Sequence, residues 1–120
     1  MTDIKNIDGD VIYTSASPKD TVKQALHQAL RARVNLLYAD LQDTDLRGAD
    51  LGESNLQYAN LSRANLCCAN LRYACLRGAI LHEANLVETD LHGADLTGAN
   101  LGGAKIKLGN RIITLEACDD

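Results

Sequence analysis

The chain has 120 residues and contains no Phe, no Trp and only four tyrosines, Tyr13, Tyr38, Tyr58 and Tyr73. Large aromatics fill most globular cores, so any core here is built from Leu, Ile and Ala. No apolar run approaches the roughly 18 residues that suggest a membrane span. The opening "MTDIKNIDGD" has no basic region followed by an apolar stretch, so no secretory leader is expected. The net charge of −4 and pI of 5.2 give no basic footprint, which argues against direct nucleic-acid binding and against an anionic membrane surface. GxGxxG, GxxxxGK[ST] and CxxC pairs are all absent. With no such motif, and no Ser/His/Asp or Cys/His set, the expectation is a non-enzymatic chain with no cofactor and no metal site. The four cysteines, Cys67, Cys68, Cys75 and Cys118, are expected as free thiols in a reducing cytoplasm.

What the chain does have is a period of five. From Val34 it reads VNLLY, ADLQD, TDLRG, ADLGE, SNLQY, ANLSR, ANLCC, ANLRY, ACLRG, AILHE, ANLVE, TDLHG, ADLTG, ANLGG and AKIKL, fifteen units without insertion to Leu108. The central residue is Leu in fourteen units and Ile106 in the last. Two before it stands Ala in eleven units, with Val34, Thr44, Ser54 and Thr89 in the rest. One before it stands Asp or Asn in twelve, the exceptions being Cys75, Ile80 and Lys105.

Neither regular element accepts this spacing. Five residues on an α-helix advance about 140° net, so the leucines would spiral over every face. On one continuous strand an odd spacing would flip each successive Leu to the other side. The pattern works if the chain turns a corner once per unit. The small residue and the Leu then both point inward, the residue between them points out, and the last two positions make the corner. Gly48, Gly78, Gly93, Gly98 and Gly103 all occupy the final corner position, where glycine adopts a positive φ most easily. The recurring Asp or Asn is read as a local hydrogen-bonding group for the corner backbone, not as an acid or base.

The tandem A-(D/N)-L-x-x units resemble the pentapeptide-repeat family. The resemblance implies an all-β solenoid, a right-handed quadrilateral β-helix with four units per coil and hence about four coils here. Residues twenty apart would then stack at the strand spacing of about 4.8 Å. A rod of that kind exposes Leu and unpaired backbone at its ends and needs caps.

Residues 1–33 are expected to supply one cap. "IKNIDGDVIY" reads as a β-hairpin turning at Asp8-Gly9. "SPKDTVKQALHQALRAR" reads as an amphipathic helix with Ser17 as N-cap, Pro18 at the first helical position, and Val22, Ala25, Leu26, Ala29 and Leu30 on its apolar stripe. A helix that binds a membrane surface or a partner is the rival reading. Residues 34–108 are expected to form the β-helix. Residues 109–120 are expected as a closing strand, or as an apolar contact for a second chain, because they offer Ile112, Ile113 and Leu115.

Two surface readings follow. Tyr38 and Tyr58 fall twenty apart at one edge of a face, Tyr73 at its other edge, with Leu37, Gln57 and Arg77 between and Arg72 at the border. Tyr and Arg dominate binding hot spots, so this face is a candidate contact for an unidentified protein partner. Ile80 and Val87, the latter stacked with Cys67, form a smaller apolar candidate. The plainer alternative is that corner tyrosines merely cover their neighbours. The adjacent Cys67 and Cys68 are free thiols or, on the sharper reading, a redox-sensing pair. His82 and His92 fall on opposite faces and suggest no shared metal.

The second surface reading comes from the resemblance, since some members of that family mimic duplex DNA and bind DNA gyrase. Mimicry needs about one negative charge per 1.7 Å of axis. Residues 34–108 carry nine acids and six bases, a net of only −3, and one corner column reads Asp43, Arg63, Glu83, alternating in sign. A protein-interaction scaffold is therefore the first expectation and a gyrase ligand the second, as a monomer or as a dimer through the C-terminal end.

Overall fold

A computed structural model describes residues 2–116. The chain opens with β1 (Asp3–Asn6) and β2 (Val11–Thr14), an antiparallel hairpin. The helix α1 (Val22–Arg31) follows. The short β3 (Ala39–Asp40) pairs antiparallel with β1, giving the sheet order β2-β1-β3. β4 (Lys105–Leu108) and β5 (Arg111–Thr114) form a second hairpin near the C-terminus.

Between these ends the backbone coils with a rise of twenty residues. Parallel bridges join Asp40 to Asn60, Asn60 to Ile80 and Ile80 to Asn100, and likewise Asp45–Asn65–Asn85–Lys105, Asp50–Asn70–Asp90 and Asn55–Cys75–Asp95. The residue before each Leu thus pairs with its counterpart one coil on. Leu41 N–H donates to the Asn60 carbonyl at 2.7 Å and Asn60 N–H to the Ala39 carbonyl at 2.8 Å, and this two-bond exchange recurs down the rod. Each strand contribution is that brief because the next corner follows at once. At the corner the Leu carbonyl accepts from the N–H three residues on, as in Ala39 to Leu36 at 3.0 Å.

The corner demands a left-handed residue. Every final-position residue from Tyr38 to Gly103 has a positive φ, including Tyr58 at 59°, Cys68 at 64° and Glu83 at 57°. Five glycines meet the demand freely, and the other nine residues bear the strain of a side chain there. The Asp and Asn residues support the same corner. All twelve of them accept, through a side-chain Oδ1, from the N–H two residues on, for example Asn65 from Cys67 at 3.1 Å and Asn100 from Gly102 at 3.0 Å. Cys75, Ile80 and Lys105 have no such oxygen and rely on the backbone alone.

The interior matches the inward positions. Leu41 through Leu81 at the centres, and the Ala residues two before them, are essentially inaccessible. The inward hydroxyls are satisfied: Ser54 donates to the Leu51 carbonyl and Thr44 to that of Leu41, both at 2.6 Å, and Thr89 to that of Leu66 at 2.7 Å. No buried side-chain polar atom among the described residues lacks a partner. Toward the C-terminus burial falls off, and Leu91, Leu96, Leu101 and Ile106 are only partly covered.

Two local expectations change at the N-terminal end. The helix does not start at Ser17-Pro18. Thr21 is its N-cap, in a reciprocal box in which Thr21 Oγ1 accepts from Gln24 N–H and Gln24 Oε1 from Thr21 N–H. Ser17 instead closes a tight turn with Asp20, whose carboxylate accepts from Ser17 N–H and from Gln28. The hairpin turn is also longer than Asp8-Gly9. It spans residues 7–10, because Asn6 Oδ1 accepts from both Asp8 and Asp10 N–H, and Ile7 leaves the strand to donate its N–H to the Tyr38 carbonyl at 2.8 Å.

Ala25, Leu26 and Ala29 of α1 join Leu36 and Leu41 in one buried core, with Val22 and Leu30 packed against it. The first coil has no coil before it, so its edge groups need other partners. β1 supplies some. α1 supplies two more: His27 Nε2 accepts from Asp50 N–H at 3.0 Å, and Lys23 Nζ donates to the Arg47 carbonyl at 2.9 Å. At the far end Leu115 exchanges hydrogen bonds with Gly103 and Ala104. Of the segment expected to close the rod, residues 117–120, Cys118 among them, lie outside the described residues.

Candidate interaction surface

The left-handed corners aim final-position side chains twenty residues apart along one line, so the corner columns are the surface's organising feature. Tyr38 and Tyr58 stack in one column with ring centroids 5.1 Å apart and planes within 15°. They are 42 % and 47 % exposed. The column continues with Gly78, whose missing side chain is what lets the Tyr58 ring lie flat: a Cβ there would stand 2.5 Å from Tyr58 Cδ1 and Cε1. Tyr73 lies in the neighbouring column and repeats the arrangement over Gly93. Its ring meets His92 edge-on at 5.5 Å, and the Arg72 guanidinium lies 6.0 Å from its centroid.

The arginines assigned to this face are not free. Arg77 pairs with Asp95 at 3.3 Å and Arg72 with Asp90 at 3.2 Å. The structure therefore brings Tyr38 and Tyr58 together, and Tyr73 with Arg72, and it adds His92, which sequence reasoning set aside as an isolated histidine. The signal was available: His92 immediately precedes Gly93, which lies twenty residues after Tyr73. Ile80 faces outward between Asn60 and Asn100 on the adjoining face. Val87 is half-buried, and its carbonyl accepts from Cys68 N–H.

Much of the charge on the rod is paired. Arg63 binds Asp43 one coil away at 2.7 Å, Arg47 binds Asp45 at 2.7 Å within its own unit, and Lys107 binds Glu88 at 2.5 Å. The hydrogen bond from Arg47 holds the Asp45 carboxyl down at about 2, and that from Arg63 lowers Asp43. Asp90 is lowered first by the His92 N–H, and Asp95 first by the Thr97 hydroxyl. Five of the rod's nine acids thus carry an Arg or Lys partner, and Glu83 lies 2.9 Å from His82 Nε2, which breaks up the negative columns. Among the described residues no group of three or more His, Cys, Asp or Glu side chains could hold a metal ion, and no helix is long and apolar enough to cross a membrane.

The profile for pentapeptide repeats matches in eight copies over residues 32–52, 44–82 and 81–108. The chain belongs to the pentapeptide-repeat family. Its similar solved structures are pentapeptide-repeat proteins, which form right-handed quadrilateral β-helices. One, from the Arabidopsis thaliana thylakoid lumen, is 31 % identical with a TM-score of 0.52 over 64 % of this chain and 58 % of its own. The chain thus spans little more than half of that relative. Rfr23 from the cyanobacterium Cyanothece is 47 % identical over 50 % of this chain and 37 % of its own, with a TM-score of 0.35. HetL, a Nostoc protein involved in the regulation of heterocyst differentiation, is 37 % identical over 60 % of this chain and 46 % of its own, with a TM-score of 0.31. Comparison with curated proteins found no match.

Proposed function

We propose that this pentapeptide-repeat chain is a non-enzymatic scaffold that binds a protein partner through its tyrosine corners. The observation that carries this reading is the stacked, half-exposed Tyr38–Tyr58 pair, laid flat on Gly78. Flat aromatic rings with few rotatable bonds offer contact area at low entropic cost. The hairpin and helix of residues 1–33 act as the N-terminal cap of the four-coil rod. Burial of Ala25, Leu26 and Ala29, and the bond from Asp50 to His27, support this role. The free thiols of Cys67, Cys68 and Cys75 fit a cytoplasmic setting.

The deciding experiment is quantitative capture of a partner by the whole chain against Tyr58→Ala and Tyr73→Ala, with circular dichroism as the folding control. Loss of at least about tenfold in affinity in either variant supports the reading, as hot-spot truncation predicts. Unchanged affinity in both folded variants overturns it. A gyrase ligand is the weaker reading, since ion pairs interrupt the acidic columns. Salt-sensitive inhibition of gyrase supercoiling would reverse that order. A dimer through the C-terminal end draws support from the partly covered Leu96 and Leu101 and from Ile112, which is 63 % exposed. Sedimentation of wild type against Ile112→Glu tests it.

A further inference from the structure

Cys67 and Cys68 are consecutive residues at one corner, and their Sγ atoms lie 3.5 Å apart in thiol–thiol hydrogen-bond contact. Asn65 Oδ1 accepts from Cys67 N–H, and Cys68 takes the left-handed corner conformation at φ 64°. The backbone that aims the two thiols together is therefore the repeat's own corner. Cys68 is exposed and Cys67 half-buried. Twenty residues before Cys68 stands Gly48, which offers no side chain, and nothing lies within 4 Å of where its Cβ would be. Open space thus adjoins the pair.

The geometry selects among thiol chemistries. A disulfide needs sulfurs about 2.05 Å apart and Cα atoms usually about 4.4–6.8 Å apart, whereas consecutive Cα atoms sit only about 3.8 Å apart. The pair is therefore poorly placed to close on itself. An atom bridging two thiolates at about 2.3 Å each would hold the sulfurs roughly 3.8 Å apart, close to the spacing present. Zinc would need two further ligands, which the described residues do not supply. Reaction with peroxide favours a resting thiolate, but the bond from Cys67, with burial and Glu88, pushes the Cys68 thiol up.

We propose that Cys67 and Cys68 form a bidentate site for a trivalent, monosubstituted arsenical. Such a centre already carries one organic group and needs only two sulfurs. Starting from an arsenoxide, two S–As bonds form and the As–O bond breaks. The two thiol protons leave with the oxo oxygen as one water. Arsenic stays trivalent, so no oxidant or reductant enters. Soft thiolate ligands suit a soft centre.

The test is titration of the reduced full chain with phenylarsine oxide, read by native mass spectrometry and by thiol counting, in wild type and in a Cys75→Ser/Cys118→Ser background. The expected result in that background is one adduct per chain, both remaining thiols consumed, and reversal by a dithiol at concentrations where a monothiol fails. Cys67→Ser or Cys68→Ser in the same background should weaken binding by at least about 100-fold, the loss of an intramolecular second contact. Failure of the background variant to form the adduct, or binding that survives loss of either cysteine, overturns the proposal. In wild type, a first adduct that leaves Cys67 or Cys68 free to alkylation overturns it without reliance on any variant's fold.

Discussion

Gly78→Ala separates two demands that the corner makes at once. Gly78 has φ 65°, so any side chain there carries a left-handed cost. It also lies against the Tyr58 ring, and the added Cβ would stand 2.5 Å from two ring carbons. Gly48 shares the first demand, with φ 67°, but not the second, having open space around it. The left-handed penalty is about 1–2 kcal/mol, reduced by about 0.4–1 kcal/mol because alanine also restricts the unfolded chain. Gly48→Ala should therefore cost about 1 kcal/mol. Gly78→Ala should cost a further 1–3 kcal/mol or so, the range for forcing extra atoms into packed space. The assay is urea unfolding of the whole chain followed by far-ultraviolet circular dichroism. The decisive arm is a double-mutant cycle. In a Tyr58→Ala background the Gly78→Ala cost should fall to that of Gly48→Ala. Equal costs for the two glycines in the wild-type background, or a Gly78→Ala penalty that ignores the loss of Tyr58, would refute the ring-on-glycine account.

Other expectations follow from the same structure. Thr21→Ala should destabilise by about 1 kcal/mol through loss of the helix N-cap, whereas Ser17→Ala should cost less, and thermal melts of the pair decide which residue starts the helix. Leu66→Ala, in the closed part of the rod, should cost about 2–5 kcal/mol, and Leu101→Ala, at the partly covered end, distinctly less; denaturant midpoints give the comparison. Lowering pH should destabilise the chain only in acid. Asp43, Asp45, Asp90 and Asp95 have folded values below the ordinary carboxylate range, so their contribution is complete above about pH 4 and is lost as pH falls toward about 2. A melting temperature that already falls steeply between pH 7 and pH 5 would contradict this assignment.

Most of the architecture was legible because the repeat states it fifteen times. A Leu every fifth residue excludes helix and strand alike, and the small residue two before it leaves one inward pair per corner. The corner's backbone requirement was legible only through its glycines. Tyr58, Cys68 and Glu83 adopt the same left-handed conformation, and nothing in those side chains announces it. The helix start was misplaced because Ser17-Pro18 is as good a start signal as Thr21 with Gln24; the choice was made by Asp20 and Gln28, which tie residues 15–20 into a turn. The hairpin turn was misplaced because Asn6 organises it from within the preceding strand. The surface was less legible still. Stacking by twenty predicts that Tyr58 follows Tyr38, but not that Arg72 and Arg77 are engaged by Asp90 and Asp95, since those pairs join residues eighteen apart.

On the proposed scaffold reading, the division between interior and exterior directs the search for a partner surface to the corners. The inward positions are occupied mostly by Leu and Ala, and the outward Asp and Asn residues use an oxygen to hold the adjoining turn. Substitution there trades against the fold. The two corner positions carry no such duty beyond a tolerated φ, and they alone vary freely from unit to unit. A column of corner residues is stacked at fixed spacing on a stiff backbone, so two matched side chains twenty apart are pre-aligned without any contact between them having to provide it. Tyr38 with Tyr58, over a glycine that clears the space, uses that freedom for a flat aromatic surface. Arg63 with Asp43 uses it to cancel charge. The corner sequence, read by columns of twenty and not along the chain, is therefore where the proposed scaffold would carry its specificity.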